Sequence, residues 1–598
     1  MKNIHSFHIP VMGIGFTIDS PLKVAQYGID SVISLVDDIL IEKMRKVYSE
    51  KFEVPYQEIS DKVDDFRAKR ITSYLNFLQE QTEAKFNQLK NITSVKSKAL
   101  KEYVDMLPEY SALKKEFMKL TEENVDFFTV KDWVRTNLKM GAIDVNIMTK
   151  VDKANYQNKE LLPIEYNDAH AALRGFADSN LASSLVLSAG MNPRLYSYIS
   201  KFNDFFPDEN GYIKKKITLK VSDYRSAFIQ GKFLAKKGLW VSEYRIESGL
   251  NCGGHAFATD GFLLGPVLTE FKENKEILKS ETQKLLMQAL NEANKVLPKN
   301  EFALKITTQG GVGTAEEHSF LMEEYQLDSV GWGSPFLLVP EATSVDEKTM
   351  QKLAKAREED LYLSNSSPLG VPFNTLKGNT KDAEKQHLIG KKRPGSSCPN
   401  KFIALNYEFK DTGLCTASRE YQHLKLKQLD TLALSKNEKK QKYNAITEKS
   451  CICVGLSTST LILNNMSTKK TGMGVAVCPG PNMAYYDKIV SLRAITDHIY
   501  GRKSMLTRTD RPNIFIKELS LYIALLEEKV GSIKINFDQK QFRSLIKFTK
   551  NLEVGVLYYN NLFKNQKQTF VHNKEALLNL LAVEHEKLVL IGLKIEKL

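Results

Sequence analysis

The chain has 598 residues, and several things are missing from it. No apolar run approaches the ~20 residues needed to span a bilayer, which argues against a membrane helix. The opening "MKNIHSFHIPVMGIGF" has no basic n-region, no apolar h-region and no small-residue cleavage site, so a secretion signal is not expected and a cytoplasmic location is. Cysteines are few, six in all, and no CxxC pair or ferredoxin spacing occurs among them. In a reducing compartment they are expected as thiols or metal ligands rather than disulfides. No compact arginine-rich patch, nucleic-acid motif or internal repeat stands out. The net charge of +13 is spread through lysine–glutamate mixtures such as "LKKEFMKLTEE", the pattern of solvated helix faces. Nucleic acid is therefore not the expected partner, although an RNA-associated or scaffolding chain is the reading of another class.

At 42% hydrophobic and 26% charged residues, the chain has an ordinary globular composition, and its length exceeds one core. Eight short β-branched runs punctuate the first 345 residues: 11–16, 30–36, 142–149, 184–190, 215–221, 241–248, 303–309 and 329–335. Most are nearly continuous apolar runs followed by turn formers and a helix-like stretch, as parallel strands covered by helices require. Eight such units predict an α/β fold of the TIM (β/α)8 type over 1–345, with an open doubly wound sheet as the fallback. Residues 40–125, between the second and third runs, are Lys/Glu-rich with apolar residues three and four apart, and read as a helical insertion. An irregular, turn-rich region carrying five of the cysteines follows at 346–485, and helical periodicity returns over 486–598.

If the barrel forms, chemistry belongs at the C-terminal ends of its strands, with a phosphate site after the seventh and eighth. The seventh run leads into "TTQGGVGTAEEH", where Gly310, Gly311 and Gly313 precede Thr314 at an N-cap position. Such glycines let backbone N–H groups approach a phosphate, and the helix start adds its positive end. The eighth run carries Gly331, Gly333 and Ser334. The sixth ends in "GLNCGGHAF": Gly253 and Gly254 leave room for a flat ring, and His255 can serve as general acid or base. A structural histidine in an ordinary turn is the competing reading. Asn146, Lys150, Ser188, Asn192, Lys220 and Asp223 also fall at strand ends.

"GLNCGGHAF" followed by "KITTQGGVGTAEEHSFLMEEYQLDSVGWGSPF" resembles the nitronate monooxygenase (2-nitropropane dioxygenase) family and the related flavin-dependent enoyl reductases. The resemblance implies an FMN-dependent TIM-barrel oxidoreductase acting on a small organic substrate, with NAD(P)H or a protein as electron donor and a homo-oligomer as a further expectation. It assigns catalysis to His255. It assigns the FMN phosphate to Gly310, Gly311, Gly331, Gly333 and Ser334, and the flavin ring to Met12, Gly13 and Ile14. Gly254 and Gly313 join the cofactor set, and Lys220 is expected near a flavin edge or phosphate. Asn251 and Cys252 depart from the family, as do the insertion and the 250-residue C-terminal extension. An NAD(P)H-dependent enoyl-thioester reductase is the alternative enzyme.

The remaining cysteines run Cys398, Cys415, Cys451, Cys453 and Cys478, with Cys398 and Cys478 each followed by proline. Thiolates of this kind hold iron–sulfur clusters or zinc. Free buried thiols are the third reading.

Overall fold

The computed structural model describes residues 4–597 except 93, 95, 96, 124, 189, 253–259 and 532–538. Eight parallel strands close into a barrel: β1 (Phe7–Ile9), β2 (Asp30–Ser34), β3 (Ile143–Ile147), β4 (Ser184–Leu187), β5 (Lys216–Val221), β6 (Val241–Glu247), β7 (Lys305–Gln309) and β8 (Ser329–Gly331). Each strand pairs with its sequence neighbours, and β1 closes the ring against β8, with His8 opposite both Asp30 and Gly331. The α/β barrel expected from the eight runs is therefore present.

The first strand lies earlier in the chain than the sequence suggests. "VMGIGF" at 11–16 follows β1 instead of forming it. Pro10 lacks an N–H for the ladder, Gly13 takes φ +56°, and the Gly15 N–H bonds to the Leu456 carbonyl at 3.1 Å rather than to a strand.

Alternation along the strands sets the two faces of the wall. Phe7, Ile9, Val145, Leu185, Leu219 and Ile246 are buried in the shared core, while His8, Asp30, Asp144, Glu243, Arg245 and Thr307 line a cavity of about 590 Å³ at the N-terminal end of the strands. Inside it Arg245 pairs with Glu243 at 2.8 Å, and His8 Nδ1 meets Ser329 Oγ at 2.9 Å. The barrel interior is thus polar.

Helices α1 (Asp38–Lys51), α2 (Phe66–Lys90), α3 (Lys98–Met106), α4 (Ala112–Glu122) and α5 (Phe127–Asn137) fill the interval between β2 and β3. Of these, α2 belongs to the layer around the barrel. Thr72 Oγ1 donates to the Gly175 carbonyl in the helix after β3 at 2.9 Å, and a Cβ on Gly175 would stand 2.7 Å from the Ala68 carbonyl oxygen. Beyond α2, Phe86, Leu100, Tyr103, Phe117, Val130 and Val134 build a second small core of their own.

The sixth barrel helix, α6 (Leu264–Glu292), is unusually long, whereas α7 (Ala315–Glu324) after β7 is short. Past the barrel come a small antiparallel hairpin, β9 (Leu361–Ser364) and β10 (Phe373–Leu376), and the apolar helix α8 (Ile452–Leu463). The region expected to be irregular therefore holds a hairpin and helices between its loops. Every residue of α8 from Ile452 to Leu461 is buried, and each aliphatic side chain so buried contributes about 1.5–3 kcal/mol. The serines and threonines of α8 find partners: Ser457 donates to Asp37 at 2.9 Å, Ser459 to Asp346 at 2.8 Å and Thr460 to the Gly15 carbonyl at 2.8 Å. Three long helices, α9 (Ile514–Gly531), α10 (Gln539–Asn565) and α11 (Lys574–Glu596), dock together and against α6. Among the described residues no single helix is long and apolar enough to cross a membrane.

Candidate active site

Four polar side chains converge at the C-terminal mouth of the barrel. Glu247, the last residue of β6, accepts on one carboxylate oxygen from Lys220 Nζ at 3.1 Å, Asn251 Nδ2 at 2.7 Å and Gln309 Nε2 at 2.8 Å. Lys220 and Glu247 are 12% and 13% exposed, so this ion pair is shielded from water and is stronger than a surface pair. Gln309 also hydrogen-bonds to the His8 ring, whereas Asn146 Oδ1, near the C-terminal end of β3, is buried with no hydrogen-bond partner. A buried orphan of this kind costs about 1–3 kcal/mol and favours a ligand that can donate to it.

The β6 loop rises directly from Glu247. His255, Gly253 and Gly254 lie outside the described residues, but both ends of their loop are held. Glu518 of α9 is 1% exposed, and its carboxylate accepts from Ser248 Oγ at 2.7 Å, Gly249 N at 3.1 Å and Leu264 N at 2.7 Å. Burial raises its pKa above the ordinary carboxylate range. Sequence reasoning passed over this residue. Its only signal is an acid within the apolar run "NIFIKELSLYIALL".

The glycine turns after β7 and β8 lie beside this loop and are closed by the chain's own segments. A Cβ on Gly310 would stand 2.9 Å from Asn251 Cα, and one on Gly333 would stand 2.9 Å from Cys252 Cβ. The Gly313 N–H donates to Glu317 Oε2 at 2.9 Å, inside the first turn of α7. Arg511 pairs with both Glu317 oxygens at 2.8 and 2.9 Å, and donates to the Gly311 carbonyl and to Asn482. Ser334 Oγ donates to the Pro479 carbonyl at 2.6 Å, and a Cβ on Gly331 would meet Gln309 and His8. A carboxylate thus already occupies the anion position at the α7 N-terminus. The Gly313 and Ser334 donors are committed to protein partners, so the phosphate end of the expected FMN set does not fit as it stands. At the ring end the buried, unpartnered Asn146 Oδ1 leaves one acceptor open to a ligand.

Met12 and Ile14 are buried and Gly13 half-buried at the rim, where Leu456 of α8 comes within 3.3 Å of a Cβ built on Gly13. Cys478 belongs here too. Its sulfur accepts the Gly13 N–H, and its carbonyl accepts from the Cys252 thiol at 3.2 Å. Burial pushes the Cys478 thiol up to about 12. The segment 478–486 therefore roofs the mouth, with Tyr486 donating to the Gly313 carbonyl and Asn482 to that of Val312. Asn192 and Asp223 cap helices, accepting from Leu195 N and Ser226 N. Ser188 is bound to Thr149, and Lys150 packs over Gly190.

The other four cysteines of the C-terminal region lie elsewhere: Cys398, Cys415, Cys451 and Cys453 share the wall of a separate cavity of about 350 Å³. Among the described residues no group of three or more His, Cys, Asp or Glu side chains is placed to hold a metal ion.

No protein-family model and no curated protein matches the chain. Among solved structures, the enoyl reductase domain of MlnA from the macrolactin biosynthesis cluster of Bacillus amyloliquefaciens aligns at 14% identity and a TM-score of 0.32, covering 69% of this chain and 88% of that one. A nitroalkane oxidase from Streptomyces ansochromogenes aligns at 10% identity and a TM-score of 0.32, covering 83% and 96%. Superpositions this loose define no shared site.

Proposed function

We propose that this chain is a flavin-dependent oxidoreductase whose reaction centre is the C-terminal mouth of the barrel. The observation that carries the reading is the buried group of Lys220, Glu247, Asn251 and Gln309 at the C-terminal mouth of the barrel. A flavin ring supplies electron transfer in one- or two-electron steps, and a cation at its N1/O2 edge stabilises the reduced form. In this reading the Glu247 carboxylate holds Lys220 in place for that contact. The orphaned Asn146 oxygen accepts from a ligand, and His255 holds or delivers a proton. FMN, with a nitronate-like small molecule as substrate, is the specific form that the sequence resemblance favours. An iron–sulfur cluster in the cysteine region is a second redox group of the same proposal.

Purified full-length chain tests this by its spectrum and its turnover. Visible absorption of bound flavin, with nitronate oxidation in air, supports the reading. Oxidation of NAD(P)H dependent on an enoyl thioester points to the reductase alternative. His255→Ala is expected to spare flavin binding and depress turnover, and unchanged turnover removes its assigned role. A colourless protein that takes up no flavin overturns the proposal.

A further inference from the structure

Four thiols from three distant stretches of chain meet in one place. Cys398 lies in the loop "SSCPNK", Cys415 in "GLCTAS", and Cys451 and Cys453 at the N-cap and first turn of α8. The two loops are tied to each other by bridges between Ser396 and Ser418 and between Asn406 and Leu414. Gly395 makes one crossing possible. It takes φ +86°, and a Cβ there would stand 2.6 Å from Arg419 Cα, so other residues are excluded on both counts.

The sulfurs touch one another: Cys398 hydrogen-bonds to Cys451, and Cys451 to Cys453. Backbone donors also point at them. The N–H groups of Asn400 and Lys401 are directed at Cys398, and those of Ala417 and Ser418 at Cys415. Paired N–H donors of this kind suit a thiolate that carries charge and orient it toward a metal. The α8 N-terminus adds its positive end beside Cys451 and Cys453, and Lys381, paired with Glu384 at 2.8 Å, also bears on Cys451. Phe402, Ile403 and Leu414 complete an apolar wall.

This is more than free thiols need. A lone zinc requires all its sulfurs about 2.3 Å from a common point, and the described residues offer no such group for a single ion. What they offer instead is four cysteines around a volume of about 350 Å³, the arrangement a polynuclear cluster fills. We infer that Cys398, Cys415, Cys451 and Cys453 bind a [4Fe–4S] cluster and that Cys478 is not a ligand. The inference rests on the iron–sulfur reading made above and identifies its ligands. Binding is balanced in charge: four neutral thiols release four protons to solvent, and the four thiolates bind a core of charge 2+ to give a complex of charge 2− beside the α8 N-terminus. One turn beyond Cys453, Leu456 touches Gly13, so the site adjoins the barrel mouth through a single helix.

The test is anaerobic purification of the full chain, or reconstitution with equal amounts of ferrous and ferric iron and with sulfide, followed by assay of iron, acid-labile sulfide and flavin on the same sample. About four irons and four sulfides per chain are expected. Cys398→Ser, Cys415→Ser and Cys453→Ser should each lose most of the iron, while Cys478→Ser keeps it. Where a serine variant fails to fold, alkylation of the wild-type protein followed by mass spectrometry replaces it, and the four cysteines should be protected only when iron is present. Stoichiometric zinc, a Cys398–Cys451 disulfide in the anaerobic protein, or loss of iron confined to Cys478→Ser overturns the inference. Flavin without iron refutes the cluster alone, and iron without flavin refutes the flavin reading alone.

Discussion

Glu518→Ala removes the carboxylate that holds both ends of the β6 loop. Three donors lose their partner: Ser248 Oγ at 2.7 Å, Gly249 N at 3.1 Å and Leu264 N at 2.7 Å. Glu518 is 1% exposed and Ser248 5%, so water does not freely replace the lost acceptor. A hydrogen bond to a charged group is worth about 1.5–3 kcal/mol, and an unsatisfied buried donor costs about 1–3 kcal/mol. Relief of the desolvated charge offsets part of the sum, since Glu518 pays for its burial with a raised pKa. The expected net loss is about 3–5 kcal/mol. Urea unfolding followed by circular dichroism measures it, and amide exchange at Gly249 and Leu264 should accelerate by more than at distant barrel strands. A loss below about 1 kcal/mol, with unchanged exchange at those two amides, would refute the reasoning.

Three further perturbations follow from the same geometry. Arg511→Ala leaves Glu317, 2% exposed, without its cation; it should cost about 3–5 kcal/mol in urea unfolding, and adding Glu317→Gln should recover part of that. Burial pushes Asp37 from 3.8 up to about 6. A pKa raised in the fold means that its stabilising share is fully present below pH 3.8 and is lost as pH rises through 6. Wild type should therefore lose on the order of 3 kcal/mol over this window relative to Asp37→Asn, and parallel stability curves for the two proteins would contradict this. Lys220→Met removes the cation that Glu247 holds; turnover should fall about 10²-fold with the fold intact by circular dichroism, whereas wild-type turnover would exclude Lys220 from the reaction centre.

Periodicity was enough to find the barrel. Seven of the eight apolar runs contain their strands, because strands buried between a core and a helix layer read as β-branched runs whatever the rest of the chain does. The first misled because 11–16 is apolar for another reason: it packs against α8, more than 430 residues later in the sequence. Lys220 was legible as a polar residue at a strand end, whereas Gln309 was hidden beside its glycines. The roof was not legible. Pro479, Asn482 and Arg511 reach the β7 and β8 turns through tertiary contacts that leave no local spacing. A glycine turn that admits a phosphate and one that admits a neighbouring backbone look alike in sequence, since both need only a missing Cβ. Five cysteines likewise read as one set until folding separates Cys478, at the mouth, from the other four.

The most direct test of the central claim is the flavin content of the full-length protein, purified with and without added FMN and read by visible absorption and by release of the flavin on denaturation. The account predicts close to one flavin per chain, with Lys220→Met and Glu247→Gln each weakening its retention. A protein that stays colourless in excess FMN, while its barrel is folded by circular dichroism, would contradict it.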